Sequence, residues 1–238
     1  MGAARAVKAY LDLFRISNLP TVWTNVLSAG VLAAGRFDAH VFLILALSLS
    51  CFYLGGMSLN DVCDIGYDRL HRPSRPIPSG RVSMMGAGMA TLAMFFAGFA
   101  GLALSFGLRA VLAGIALLAA IVIYDLHHKK SPLSVLVMAS CRLLIFVAVS
   151  LAVTDRLPWL PLAAGGLQFC YAVAISLVAR HENSRRSPFP FPVIPAMLAG
   201  ISLLDGAVMA VLSHPAWFAA GVAGAVLTWL GQRFVRGD

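Results

Sequence analysis

The sequence predicts an all-α fold, a polytopic bundle of about eight transmembrane helices. Three observations lead there. Of the 238 residues, 60% are hydrophobic and only 12% are charged, about half the ~25% charged share of a soluble domain. A soluble chain of this size has too little interior to hide that much apolar surface. Eight stretches are apolar over most or all of the ~20 residues that a helix needs to cross ~30 Å of hydrocarbon. The basic residues also gather in alternate connections between those stretches, the pattern that fixes orientation in a membrane. The same composition excludes a disordered chain, collagen, a coiled coil and a disulfide scaffold.

The elements follow in order. The opening MGAARAVKAYLDLFRIS lacks a short apolar core with a small-residue cleavage site, so it reads as an amphipathic lead-in that stays attached. Apolar spans are expected at 19–34, 40–59, 82–105, 108–124, 133–153, 159–178, 192–212 and 216–235. The first is the shortest. Glycine and alanine recur in the third, fourth and eighth, as close packing in lipid requires. Cys51, Cys63, Cys141 and Cys170 show neither CxxC nor Cys/His ligand spacing and read as packing residues. One domain covers 1–238.

The chain carries 18 Lys and Arg against 10 Asp and Glu. In a soluble protein that excess would suggest nucleic acid; here it reads as topology, with no nucleic-acid partner. Only Arg36, Arg109 and Arg156 fall in the odd-numbered connections, and Arg142 lies inside the fifth span. The remaining fourteen occupy the two termini and the even-numbered connections. That split places both termini and the even connections in the cytoplasm. The expected setting is the inner or plasma membrane of a prokaryote.

Residues 57–83, MSLNDVCDIGYDRLHRPSRPIPSGRVS, hold three of the ten acids: Asp61, Asp64 and Asp68. Spacings of three and four project all three from one helical face. Like charges so placed repel unless a cation sits among them. Mg²⁺ suits the set, because it takes one or two carboxylates together with substrate phosphates. Arg69, Arg72, Arg75 and Arg81 follow and suit phosphate oxygens. The plainer alternative is that these acids pair with the nearby arginines. Pro73, Pro76 and Pro78 end the helix and stiffen the loop.

Asn60-Asp61-x-x-Asp64-x-x-x-Asp68, followed by Arg72-Pro-Ser-Arg-Pro-Ile-Pro-Ser-Gly80, resembles the first aspartate-rich motif of the UbiA family of intramembrane prenyltransferases. The resemblance implies a helical bundle, commonly of nine helices, around a central cavity open to the cytoplasmic side and laterally to lipid. It implies Mg²⁺-dependent binding of a polyprenyl diphosphate and transfer of its prenyl group to a small-molecule acceptor, often aromatic, within the bilayer. Asp61, Asp64 and Asp68 would be the catalytic metal ligands, with Asn60, Arg72 and Arg75 on the substrate. Tyr124-Asp-Leu-His-His-Lys129-Lys130 resembles the family's tyrosine and lysine element, which puts Tyr124 and Lys129 or Lys130 near the diphosphate. His127 and His128 read as interface residues.

The family's second motif should follow the sixth span, where this chain has Ser176-Leu-Val-Ala-Arg180-His181-Glu182-Asn183. Two aspartates four apart are absent. Glu182, the only glutamate in the chain, is the candidate remaining metal ligand. Arg180 is a candidate phosphate contact. The departure also motivates an alternative: a catalytically altered carrier or scaffold for an isoprenoid or aromatic metabolite. Arg142 is expected to face substrate or a carboxylate, since a charge at that depth is expensive in lipid. Asp205 reads as a packing or polar contact at a different depth. Asn25 either lines the cavity or bridges helices.

Overall fold

A computed structural model describes residues 2–128, 131, 133–184 and 191–235. Among them are ten α-helices, two short 3₁₀ turns and no strands. Eight helices fall on the eight expected spans: α2 (Leu19–Ala34), α3 (Ala39–Cys63), α5 (Met84–Ser105), α6 (Leu108–His127), α7 (Ser134–Thr154), α8 (Trp159–Ser184), α9 (Val193–Leu212) and α10 (Phe218–Gly231). Two more had no apolar signal. The lead-in forms α1 (Ala3–Leu13), and α4 (Ile65–His71) follows the end of α3. Six helices are long and apolar enough to cross a membrane; α2 and α10, at 16 and 14 residues, are shorter.

Local chemistry sets the ends. Pro20 opens α2 and Gly35, at φ 67°, closes it in the left-handed conformation, the arrangement that spares a missing N–H at the start and a Cβ clash at the end. Asp38 caps α3, accepting from the N–H groups of His40 and Val41 at 3.0 and 3.1 Å. α1 is amphipathic: Ala9 and Leu13 are buried while Arg5 and Lys8 are exposed.

The central element is α2, which touches α3, α7, α8, α9 and α10. Its core-facing residues include Thr21, Thr24, Asn25 and Ser28. Neighbouring helices meet three of these groups: Thr24 reaches Ser202, Asn25 reaches Asp205, and Thr21 accepts from Arg142. The apolar core around it is built on Phe52, Phe146, Leu45, Leu49, Leu102 and Val149. α9 and α10 meet at Gly206 and Gly221, where a Cβ on either would run into the other's backbone. The outside is also apolar. Leu43, Leu47, Phe96 and Leu104 are all more than half exposed, a distribution at home against acyl chains and not against water.

Candidate functional site

At one end of the bundle α3 runs into α4. The helix breaks at Asp64, so the three acids do not share one uninterrupted helix as their spacing predicts. The helical ladder nevertheless continues, with Asp64 N–H on the Asn60 carbonyl and Asp68 N–H on the Asp64 carbonyl, both at 2.9 Å. The face is therefore preserved. Asp61, Asp64 and Asp68 are all buried, at 3%, 8% and 1% exposure.

Their partners are arginines. Asp61 Oδ1 accepts from Arg15 Nη2 at 3.0 Å and from Arg75 Nη1 at 3.2 Å. The same Arg75 Nη1 donates to Asp68 Oδ2 at 2.7 Å. Asp64 Oδ2 lies 3.3 Å from His128 Nε2. The plainer expectation, acids paired with nearby arginines, thus describes this structure. Among the described residues, no three acidic, histidine or cysteine side chains converge as a metal cage. In place of such a cage, Arg75 bridges the carboxylates of Asp61 and Asp68.

Arg75 is delivered by a loop with little freedom. Val82 N–H bonds the Pro76 carbonyl at 3.0 Å and Ser79 Oγ bonds the Arg75 carbonyl at 2.7 Å. Arg81 fastens that loop to α1 through Asp12 Oδ2 at 2.6 Å and holds the Ser74 carbonyl at 2.9 Å. Arg15 reaches the acids from the joint between α1 and α2. It sits at φ 46° and ψ 49°, a left-handed conformation that costs a non-glycine residue about 1–2 kcal/mol and persists where surroundings enforce it. Tyr53 supplies part of that constraint, donating to the Arg15 carbonyl at 3.2 Å.

Two spaces meet at this cluster. A polar mouth of about 600 Å³ is lined by Arg15, Asp61, Arg72, Arg75, Arg81 and Glu182, among others. An apolar chamber of about 250 Å³ lies within the bundle, walled by Phe52, Ile121, Met138, Ile145 and Ile175 and edged by Arg15, Asn60, Tyr124, Asp125 and Arg142. Arg15 belongs to both walls. Asn60 tethers the chamber side, donating from Nδ2 to Asp125 Oδ1 at 3.0 Å and facing Arg15 Nη2 at 3.5 Å with its oxygen.

The expected site residues therefore separate. Asn60, Asp61, Asp64, Asp68, Arg75 and Tyr124 are brought together; Tyr124 stacks on His128 with ring centroids 5.1 Å apart. Arg72 and Glu182 line the mouth. Arg180 is exposed near the end of α8 and lines neither space. Lys129 and Lys130 lie outside the described residues. His128, read as an interface residue, turns inward to Asp64. Sequence reasoning missed Arg15 as a site residue, because its charge was already accounted for by topology. It also missed Asp125, an isolated acid one position from Tyr124.

Arg142 edges the chamber, but two of its donors are engaged elsewhere: Nη1 on Asn25 Oδ1 at 2.8 Å and Nη2 on Thr21 Oγ1 at 3.0 Å. Asn25 passes the connection on, donating to Asp205 Oδ2 at 2.6 Å, and Gln168 Nε2 holds Asp205 Oδ1 at 2.8 Å. Asn25 thus bridges helices, and Arg142 and Asp205, expected at separate depths, are linked through it.

Known proteins share this arrangement of helices. The structure of an archaeal UbiA homologue from Archaeoglobus fulgidus, bound to GPP and Mg²⁺, superposes with a TM-score of 0.61 at 15% identity, covering 95% of this chain and 97% of that one. A structure from work on digeranylgeranylglyceryl phosphate synthase in membranes gives a TM-score of 0.64 at 15% identity, covering 97% and 96%. At these identities the likeness concerns the fold alone. In sequence, the digeranylgeranylglyceryl phosphate synthase of Sulfolobus acidocaldarius is 32% identical over 120 residues, 50% of this chain and 42% of that protein. The enzyme of the same name from Methanococcus vannielii is 42% identical over 83 residues, 34% of this chain and 30% of that protein. The chain thus aligns with less than half the length of these curated relatives. The model of the UbiA prenyltransferase family matches residues 19–238, nearly the whole chain, including the acids of α3 and α4 and the helices that wall both spaces. This is a multi-pass membrane protein, and it belongs to the UbiA prenyltransferase family.

Proposed function

We propose that this protein transfers a prenyl group from a polyprenyl diphosphate to an acceptor within the membrane, with Mg²⁺ as cofactor. One observation supports this above the rest: an arginine- and carboxylate-lined mouth adjoins an apolar chamber at Arg15. A prenyl diphosphate has the same two-part character. Its diphosphate suits the mouth, where Arg15, Arg72 and Arg75 offer charged donors to phosphate oxygens. Its tail suits the chamber, where transfer out of water favours each buried methylene by about 0.8 kcal/mol. The bond to be broken then lies at the junction beside Asn60.

The residues suit a magnesium ion. Hard carboxylate oxygens are its preferred donors, and it commonly takes one or two of them beside substrate phosphates, without needing a complete protein cage. Asp61 and Asp68 already converge on one cationic atom, the Nη1 of Arg75. Asp61, Asp64 and Asp68 would hold the ion, with Glu182 reaching it from α8. When bound, it neutralises the diphosphate and so makes it a better leaving group. Arg15 and Arg75 position the phosphates and stabilise the charge that develops on them. The chamber wall excludes water from the reactive carbon. The fourteen-to-three split of basic residues supports placing this mouth, and both termini, on the cytoplasmic side.

The acceptor class follows from the relatives' name. Digeranylgeranylglyceryl phosphate is a glyceryl phosphate carrying two prenyl groups, so a hydroxyl-bearing glycerol lipid phosphate is the first candidate and an aromatic acceptor the second. The test uses purified protein in lipid nanodiscs with Mg²⁺, a membrane extract, and geranyl, farnesyl or geranylgeranyl diphosphate in turn. Mass spectrometry should reveal a new prenylated lipid with at least one donor, and Asp64→Ala should abolish it. Diphosphate binding without turnover under every condition would instead favour a carrier.

A further inference from the structure

We propose that Asp125 is the base that receives the acceptor's proton during prenyl transfer. The inference deepens the proposed function and rests on it. Asp125 is 6% exposed and edges the apolar chamber beside Asn60 and Tyr124. Its two oxygens are treated differently. Oδ1 accepts from Asn60 Nδ2 at 3.0 Å. Oδ2 is buried and has no hydrogen-bond partner among the described residues.

A buried carboxylate oxygen left without a donor is costly to the fold, and the other acids around the two spaces avoid it. Asp61 and Asp68 are held by arginine, Asp64 by His128, and Asp205 by both Asn25 and Gln168. One bond from Asn60 fixes the Asp125 carboxylate and leaves the other oxygen buried and unpaired among the described residues. That is the geometry of an acceptor waiting for a donor that the polypeptide does not supply.

Chemistry supplies such a donor. Transfer forms a bond between C1 of the prenyl group and the acceptor oxygen as the C1–O bond to diphosphate breaks. The diphosphate leaves with that electron pair. The acceptor oxygen, having given a lone pair to C1, must lose its proton. A hydroxyl seated at the junction would donate its hydrogen bond to Asp125 Oδ2 and pass its proton there. Asp125 then carries the proton until it is released with product. An aromatic acceptor loses a ring proton at the corresponding stage, so the role does not depend on which acceptor class is correct. The Asn60 tether makes α3 the positioning element for this base, one residue from Asp61.

The experiment compares two fates of one donor. Geranylgeranyl diphosphate and Mg²⁺ are supplied with geranylgeranylglyceryl phosphate as acceptor, and both the prenylated acceptor and the prenyl alcohol from attack by water are quantified. Asp125→Asn preserves size and the acceptor for the Asn60 hydrogen bond. Its ratio of prenylated acceptor to prenyl alcohol should fall about a hundredfold, the lower range for loss of a general base. Asp125→Glu should recover part of that ratio, and it serves as the primary variant if the Asn protein does not fold. An unchanged ratio in the Asn variant, whether both products persist or both fall together, overturns the role. Where the wild type prenylates another acceptor from the membrane extract, the same ratio is read on that acceptor; a wild type that forms neither product with any of the three donors and the extract overturns the proposed function, and this inference with it.

Discussion

Two charged assemblies lie in this bundle, and they are built on opposite plans. At the mouth, three carboxylates share Arg15, Arg75 and His128 beside an open space of about 600 Å³. Deeper in, one guanidinium and one carboxylate, Arg142 and Asp205, are joined through Asn25, with Thr21 and Gln168 completing the set. The deep network balances one positive charge with one negative. The mouth gathers acids on adjacent turns, where they repel, and borrows arginines from a loop and a helix joint to hold them. A balanced, closed network is suited to fixing helices against each other. An unbalanced one beside solvent is suited to exchanging its partners for a ligand. Arg142, expected from sequence to face substrate or a carboxylate, edges the chamber and is linked to the Asp205 carboxylate through Asn25; on the proposed function, the mouth carries the chemistry.

That contrast can be broken. Asp61→Asn removes the carboxylate on which both arginines converge, and diphosphate release should fall by about a thousandfold or more, as for loss of a principal electrostatic group. Its thermal midpoint in detergent should change little. Chelating Mg²⁺ in the wild-type protein should reproduce the loss, and re-addition should reverse it. Full activity in EDTA would show that arginines alone suffice.

The deep network should respond the other way round. Arg142→Ala leaves Asp205 in the core without its cation, and stability should drop by about 3 kcal/mol, visible as a lower unfolding midpoint. Pairing it with Asp205→Leu should recover much of that stability, because opposite charges buried in one network are replaceable together by apolar packing. If the single variant is stable and instead shows a raised KM for prenyl diphosphate, Arg142 belongs with the substrate after all.

Arg15→Lys sharpens the comparison at the shared wall. Lysine keeps the charge but not the planar guanidinium whose Nη2 reaches both Asp61 and Asn60 while Nη1 faces Met57, and a roughly tenfold rise in KM is expected. Glu182→Gln should have the smallest effect, a few-fold higher Mg²⁺ requirement, since Glu182 stands alone where the family places two aspartates. A loss as large as that of Asp61→Asn would make it a full metal ligand.

Much of this was legible in the chain before any coordinates. The eight spans emerged within a few residues of the observed helices, because hydrocarbon thickness and backbone hydrogen bonding leave a membrane segment little choice of length or form. The acids of α3 and α4 were legible because three like charges at helical spacing are rare in a chain with only ten acids. Helix α4 and the break at Asp64 were not, since a seven-residue helix carries too short a pattern to distinguish from a loop.

What only the tertiary structure decided is partnership. Arg15 reaches Asp61 across 46 positions of chain, and Asn60 reaches Asp125 across 65. Arg142 reaches Asp205 through Asn25, on a third helix. Sequence sets what each helix must bury and which end faces the charges, because those follow from local composition and the membrane. It does not set which buried polar groups meet, because hydrogen bonds between helices depend on rotation and depth to within an ångström. Composition and spacing established the membrane bundle and its acidic motif; packing decided that Asp125 keeps one buried oxygen unpaired among the described residues and that Arg142 and Asp205 are linked through Asn25.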